Sequence, residues 1–93
     1  MSDFVYKPAF ESQFKKHYKK MLKGSKYQAK DFERVYRKLL CNKPLEARYN
    51  DYPLINRRPE RDLHIKPDWL LIYKYDGEYV DFINTGSRSD LFK

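Results

Sequence analysis

Arg61, Asp62, His64, Lys66, Asp68 and Trp69 fall within nine consecutive residues, and Arg88 and Phe92 follow after the last apolar run. This is the densest polar constellation of the chain, and its residue types are those of phosphodiester chemistry. A histidine beside carboxylates can have its tautomer and protonation set near neutrality, as a general acid or base requires. An arginine can hold a non-bridging phosphate oxygen and stabilise the charge that grows in a phosphoryl transition state. Trp69, Phe92 and nearby tyrosines can stack on unpaired bases, at about 1–3 kcal/mol per base. Together these groups suffice for RNA cleavage through the 2′-hydroxyl with no metal and no other cofactor. Plainer roles stay open for each: His64 as a structural hydrogen-bonding residue, Trp69 in the core or at its rim, Asp62 paired with Arg61 or Lys66, and Asp68 capping the turn after Pro67. Arg57, Arg58 and Arg61 read either as phosphate contacts beside the site or as a solvated cluster.

The elements that must position these residues are visible in the patterning. Asp3 to Tyr6 reads as a short strand, and Pro8 suits the first position of a helix, where its missing N–H is not needed. From Phe10, the spacing of Phe14, Tyr18, Met21 and Leu22 keeps one stripe on a helix that ends at Gly24. Ser25 and Gln28 stand in the S-x-x-Q relation of a capping box, and Ala29, Phe32, Val35, Tyr36, Leu39 and Leu40 continue a second stripe. Lys15, Lys16, Lys19, Lys20 and Lys23 cover the other side of the first helix, as an RNA-facing surface or as ordinary solvated covering. Lys43 to Arg61, with three prolines, is a connecting segment of unusual length.

Three alternating runs follow, Asp62 to Lys66, Asp68 to Tyr75 and Glu78 to Thr85. Asp76-Gly77 predicts a type I′ turn with both central residues at positive φ. In that register Trp69 faces Asn84, and a tight turn at Lys66-Pro67 adds His64 to the same face. The C-terminal stretch reads as a turn around Gly86 and a last helical turn that returns Leu91 and Phe92 to the core or to a site. The order β-α-α-β-β-β predicts one α+β domain over residues 1–93: a helical hairpin packed on one face of a small, mostly antiparallel four-stranded sheet, with the other face free for a ligand.

Twenty Lys and Arg against thirteen Asp and Glu leave a net charge of +7, so a polyanion or an acidic protein is the expected partner class. No stretch approaches the roughly 18 apolar residues of a membrane span, and the N-terminus lacks the order of a signal peptide, which predicts a cytoplasmic chain with no membrane partner. The single cysteine, Cys41, reads as a buried structural thiol, and His17 and His64 show no metal-ligand spacing. Composition and spacing alone describe a small basic α+β nucleic-acid-binding domain.

The run RDLHIKPDWLLIYKYDGEYVDFINTGSRSDLF resembles the C-terminal half of YafQ-type toxins of the RelE/ParE toxin–antitoxin superfamily, above all in its D-x-H-x-x-P-D-W-x-L-I-Y core. YNDYPL, at Tyr49 to Leu54, is similar to that family's segment before the sheet hairpin. The resemblance implies a RelE-like fold and metal-free, ribosome-dependent cleavage of mRNA in the decoding site. It implies roles at the cleavage site for Asp62, His64, Asp68, Trp69 and Phe92, with His64 first for proton transfer. Departures accompany it: Arg88 stands where the family type places a histidine, Asn84 where it often has an arginine, and Tyr52 where it has a loop histidine. Arg88 would then serve as phosphate clamp and Tyr52 as a hydrogen-bonding or proton-transfer substitute, with Arg57, Arg58 and Lys66 contacting RNA. The resemblance also implies a cognate antitoxin covering the basic surface, a monomeric free toxin and a hetero-oligomer with the antitoxin. Two other readings are a ribosome-binding inhibitor that does not cleave and a gyrase-poisoning relative.

Overall fold

In a computed structural model, residues 4–92 are described. The first strand, β1, runs Lys7–Phe10 rather than over the expected Asp3 to Tyr6, of which Asp3 lies outside the described residues. Pro8 sits inside β1 and does not start a helix. It is tolerated there because β1 is an edge strand, where a missing N–H costs least. Helix α1 (Ser12–Leu22) buries Phe14, and α2 (Ala29–Leu40) buries Phe32, Val35, Leu39 and Leu40. The capping box before α2 is one turn later than Ser25/Gln28: Gln28 is the N-cap, and its backbone N–H donates to Asp31 Oδ2 at 3.3 Å.

The long connection is more ordered than its composition suggests. A 3₁₀ turn over Ala47–Tyr49 buries Tyr49, and Tyr52–Pro53 forms a two-residue strand, β2. The sheet therefore has five strands rather than four, in the order β1-β5-β4-β3-β2, where β3 is Arg61–Lys66, β4 Trp69–Asp76 and β5 Tyr79–Gly86. All neighbours are antiparallel except β1 and β5. A final helical turn, α3 (Arg88–Leu91), is capped by Ser87, which exchanges hydrogen bonds with Asp90.

Two bulges and one turn set which side chains face which way. At the β4–β5 hairpin Asp76 pairs with Tyr79, so the loop is Gly77-Glu78. Only Gly77 of the two has a positive φ, 58°, as a type II′ turn asks and a type I′ turn does not. Ile83 is then the extra residue between the Tyr73↔Phe82 and Ile72↔Asn84 pairs, and Ile65 the extra one between His64↔Leu70 and Lys66↔Trp69. Leu63, Ile65, Trp69, Leu71, Tyr73, Val80 and Phe82 form one buried cluster with the helices. By alternation, Asp62, His64, Leu70 and Ile72 project from the opposite face. The expected row of His64, Trp69 and Asn84 on one face does not form, because each bulge shifts the parity by one.

Candidate active site

The sheet face away from the helices carries a compact polar group at its β2–β3 side. Tyr52 pairs with Asp62 and Asp62 with Ile72, so the Tyr52 and Asp62 side chains share this face, and His64, two residues on from Asp62, joins them. Arg88 arrives from α3. Close packing at Gly86 lets that turn fold back, since a Cβ there would stand 3.2 Å from the Asp90 Cβ and 3.3 Å from its Oδ2. The Arg88 guanidinium lies 5.8 Å from the centre of the half-buried Phe92 ring, a cation–π contact. Burial pushes the Asp62 carboxyl above its ordinary value, and the charges of His64 and Arg88 pull it partly back. Asp62 thus feels the charges of both His64 and Arg88, with Tyr52 beside it in the strand pairing and Phe92 against Arg88.

Behind this group the chain is pinned. Asp51 accepts from Arg61 Nε at 3.2 Å and from the Tyr73 hydroxyl at 2.7 Å through Oδ1, and its carbonyl accepts from Arg61 at 3.2 Å. Burial and the hydrogen bond to Asp51 hold the Tyr73 hydroxyl well above the usual phenol range. One residue earlier, Asn50 ends the 3₁₀ turn in the left-handed conformation (φ 46°, ψ 55°), and its Nδ2 lies 3.3 Å from His64 Nδ1. Asn50 and Asp51 were not among the expected site residues. Their signal is an Asn-Asp pair, of the kind that tolerates left-handed backbone and bonds locally.

Six expected site residues stand elsewhere. Trp69 is fully buried among the helix-side aromatics and donates from Nε1 to Thr85 Oγ1 at 2.7 Å, so its ring packs the core and offers no face to a base. Asp68, at the β3–β4 turn, pairs with Lys26 Nζ at 2.5 Å, and hydrogen bonds with Lys26 and Tyr27 hold its carboxyl below the ordinary range. It is thereby tied to the loop between the helices rather than to His64. Arg61 is engaged with Asp51 on the helix side of the sheet, instead of facing RNA. Lys66 lies 3.8 Å from Asp31 at the start of α2. In the loop before β3, Arg57 pairs with Glu60 at 2.8 Å and Arg58 is exposed.

Smaller expectations resolve as well. Asn84 sits at the edge of β5 beyond the end of β1, where its Oδ1 meets His17 Nδ1 of α1 at 2.6 Å. Cys41 is half-buried rather than buried. Lys15, Lys16, Lys19 and Lys20 of α1, and Lys23 at its C-cap, are exposed. Among the described residues, no helix is long and apolar enough to cross a membrane.

A helical hairpin thus lies on one face of a small sheet, and histidine, carboxylate and arginine gather on the other, in a chain of net charge +7. Comparison with known proteins makes the class specific. The sequence model of the family described as "Bacterial toxin of type II toxin-antitoxin system, YafQ" matches residues 6–93. The chain therefore belongs to the YafQ family of type II toxin–antitoxin toxins. It is 44% identical over 50 residues to the mRNA interferase toxin YafQ of Escherichia coli K12, a match that covers 53% of this chain and 54% of that one. The matched stretch thus spans about half the length of that relative. The fold is similar to that of YafQ in a crystal structure of the E. coli DinJ-YafQ complex, with a TM-score of 0.85, 32% identity, and coverage of 95% of this chain and 99% of that one. It is also similar to a metal-bound toxin from Helicobacter pylori, with a TM-score of 0.87 at 29% identity over 94% of this chain and 99% of that one.

Proposed function

We propose that this chain is the toxin of a toxin–antitoxin pair and cleaves mRNA on the ribosome, without a catalytic metal, at the face formed by Asp62, His64 and Arg88. The observation that carries the reading is the convergence of the His64 and Arg88 charges on the Asp62 carboxyl, on the sheet face opposite α1 and α2. In the cleavage step the ribose 2′-oxygen loses its proton to the Asp62 carboxylate and forms a bond to the adjacent phosphorus. The bond from phosphorus to the 5′-oxygen breaks, and that oxygen takes a proton from the His64 imidazolium. The products are a 2′,3′-cyclic phosphate and a 5′-hydroxyl. Asp62 and His64 then return to their starting charge by exchange with water.

Arg88 supplies the charge that the phosphorane-like transition state needs, in the place where relatives of this type carry a histidine. A carboxyl raised by burial is a better base than an ordinary one, and Asp62 is of that kind. Phe92 and the exposed Tyr52 border the site and offer rings to the neighbouring bases. Arg57, Arg58 and the α1 lysines contribute the long-range attraction to ribosomal RNA that a net charge of +7 provides. The partner that switches the toxin off is an acidic antitoxin lying over this same face. Support for that partner comes from the E. coli relative, whose structure is a DinJ-YafQ complex.

The chemistry is tested by the ends of the cleaved RNA. Fragments produced in a translating extract should accept phosphate from polynucleotide kinase at their 5′ ends without prior dephosphorylation. Fragments that already carry a 5′-phosphate contradict the 2′-hydroxyl route.

A further inference from the structure

Asn50 is exposed, lies outside the trio of Asp62, His64 and Arg88, and yet makes the only hydrogen bond of the His64 ring among the described residues, Nδ2 to Nδ1 at 3.3 Å. We infer that Asn50 is the positioning residue of His64, holding Nδ1 so that Nε2 is the nitrogen presented to RNA; this rests on the proton-transfer role of His64 given above.

Three features of the chain converge on that contact. Tyr52 pairs with Asp62, and just before β2 the turn carries Asn50 past His64, two residues beyond Asp62 on β3. The intervening Asp51 points the other way and is locked by Arg61 and Tyr73, while the preceding Tyr49 is buried, so the backbone of Asn50 is held from both sides. Its left-handed conformation is one that asparagine tolerates and that most side chains avoid. Asparagine is therefore the residue that can both occupy this backbone position and present an amide to the ring.

The amide also suits both states of the ring. With Nδ2 donating, Nδ1 accepts and the neutral ring carries its proton on Nε2. Once the ring is an imidazolium, rotation of the amide presents Oδ1 to the new Nδ1–H. In either state the contact occupies Nδ1 and leaves Nε2 to face the 5′-oxygen. A carboxylate at position 50 has no donor and would draw the proton of the neutral ring to Nδ1.

The test is a pair of variants followed by two-bond proton–nitrogen correlation spectra of histidine-labelled protein at alkaline pH, with the His64→Gln spectrum used for assignment. Wild type should show the Nε2–H tautomer at His64. Asn50→Gly, which suits the left-handed backbone, should show an averaged mixture of tautomers and cleave about 10-fold more slowly, a part of the 10²–10⁴ that positioned proton transfer contributes. Asn50→Asp should shift His64 toward the Nδ1–H form. Unchanged His64 signals in both variants would overturn the inference. A changed tautomer with undiminished cleavage would instead overturn the proton-transfer role of His64 while leaving the hold of Asn50 on the ring established.

Discussion

The indole nitrogen of Trp69 donates to the hydroxyl of Thr85 at 2.7 Å, and that hydroxyl donates in turn to the Leu70 carbonyl at 2.6 Å. All three groups are buried, so the relay satisfies polar atoms that water cannot reach. It also clips β4 to β5 next to Gly86, where the chain leaves the sheet for Arg88. Trp69 therefore acts on the site through the frame that carries Arg88.

Trp69→Phe keeps most of the bulk and removes the donor. It should lower unfolding free energy by roughly 1–3 kcal/mol, the range for leaving a buried polar partner unpaired. Urea denaturation measures this. Cleavage by the folded fraction should fall little, whereas a large loss of cleavage at unchanged stability would mean that the ring meets RNA.

Asp62 provides a sign that can be checked. Its folded carboxyl is raised above the ordinary 3.8, so the folded state binds that proton more tightly than the unfolded chain does. Its ionisation therefore costs stability at neutral pH, and the cost fades as pH falls through the raised value toward 3.8. Asp62→Asn should melt at a higher temperature than wild type at pH 7, with the gap closing as pH falls through that window, while cleavage is lost. A variant less stable than wild type at pH 7 would contradict the assignment of burial as the dominant cause.

Tyr73→Phe removes the hydroxyl that donates to Asp51 at 2.7 Å and that also interacts with Arg61. Hydrogen bonds to charged groups contribute about 1.5–3 kcal/mol, and a destabilisation of that size is expected in chemical unfolding. Because Asp51 adjoins Asn50, the 49–52 segment should also lose amide-exchange protection in this variant. Protection equal to wild type would show that Arg61 alone anchors the segment.

Arg88→Ala should reduce cleavage roughly 10²-fold, in line with loss of one preorganised donor to a developing oxyanion. Arg88→Lys should recover part of it, since the charge returns without the fork that grips two oxygens. The binding of intact ribosomes, measured by sedimentation, should change much less. Equal losses in cleavage and in ribosome binding would make Arg88 a docking residue only.

The helix pair, the three long strands and the α+β class follow from spacing because apolar periodicity reports directly which face is buried. That Asp62 and His64 lie on one strand and Arg88 just after the last one was legible for the same reason, since each stands next to a clear strand or turn. What spacing could not show were the extra residues Ile65 and Ile83. Both are apolar and fit an unbroken alternation, so nothing in the pattern marks them as bulges; Ile65 is what puts His64 on the face opposite Trp69, and Ile83 does the same for Asn84. β2 escaped because a two-residue strand has no periodicity to read. Pro8 misled because its helix-starting role is common and its edge-strand role depends on topology. Asp68 and Arg61 were placed at the site by sequence proximity, but ion pairing to Lys26 and Asp51 decides where their side chains go.

The central claim, that this face cuts mRNA on the ribosome through His64, is tested most directly by mapping mRNA 5′ ends by primer extension in a translating extract. Wild type, His64→Ala and a control without ribosomes are run side by side. Cuts phased with the codons, present only with wild type and ribosomes together, are the expected result. Translational arrest with intact mRNA, or the same cuts from His64→Ala, would contradict it.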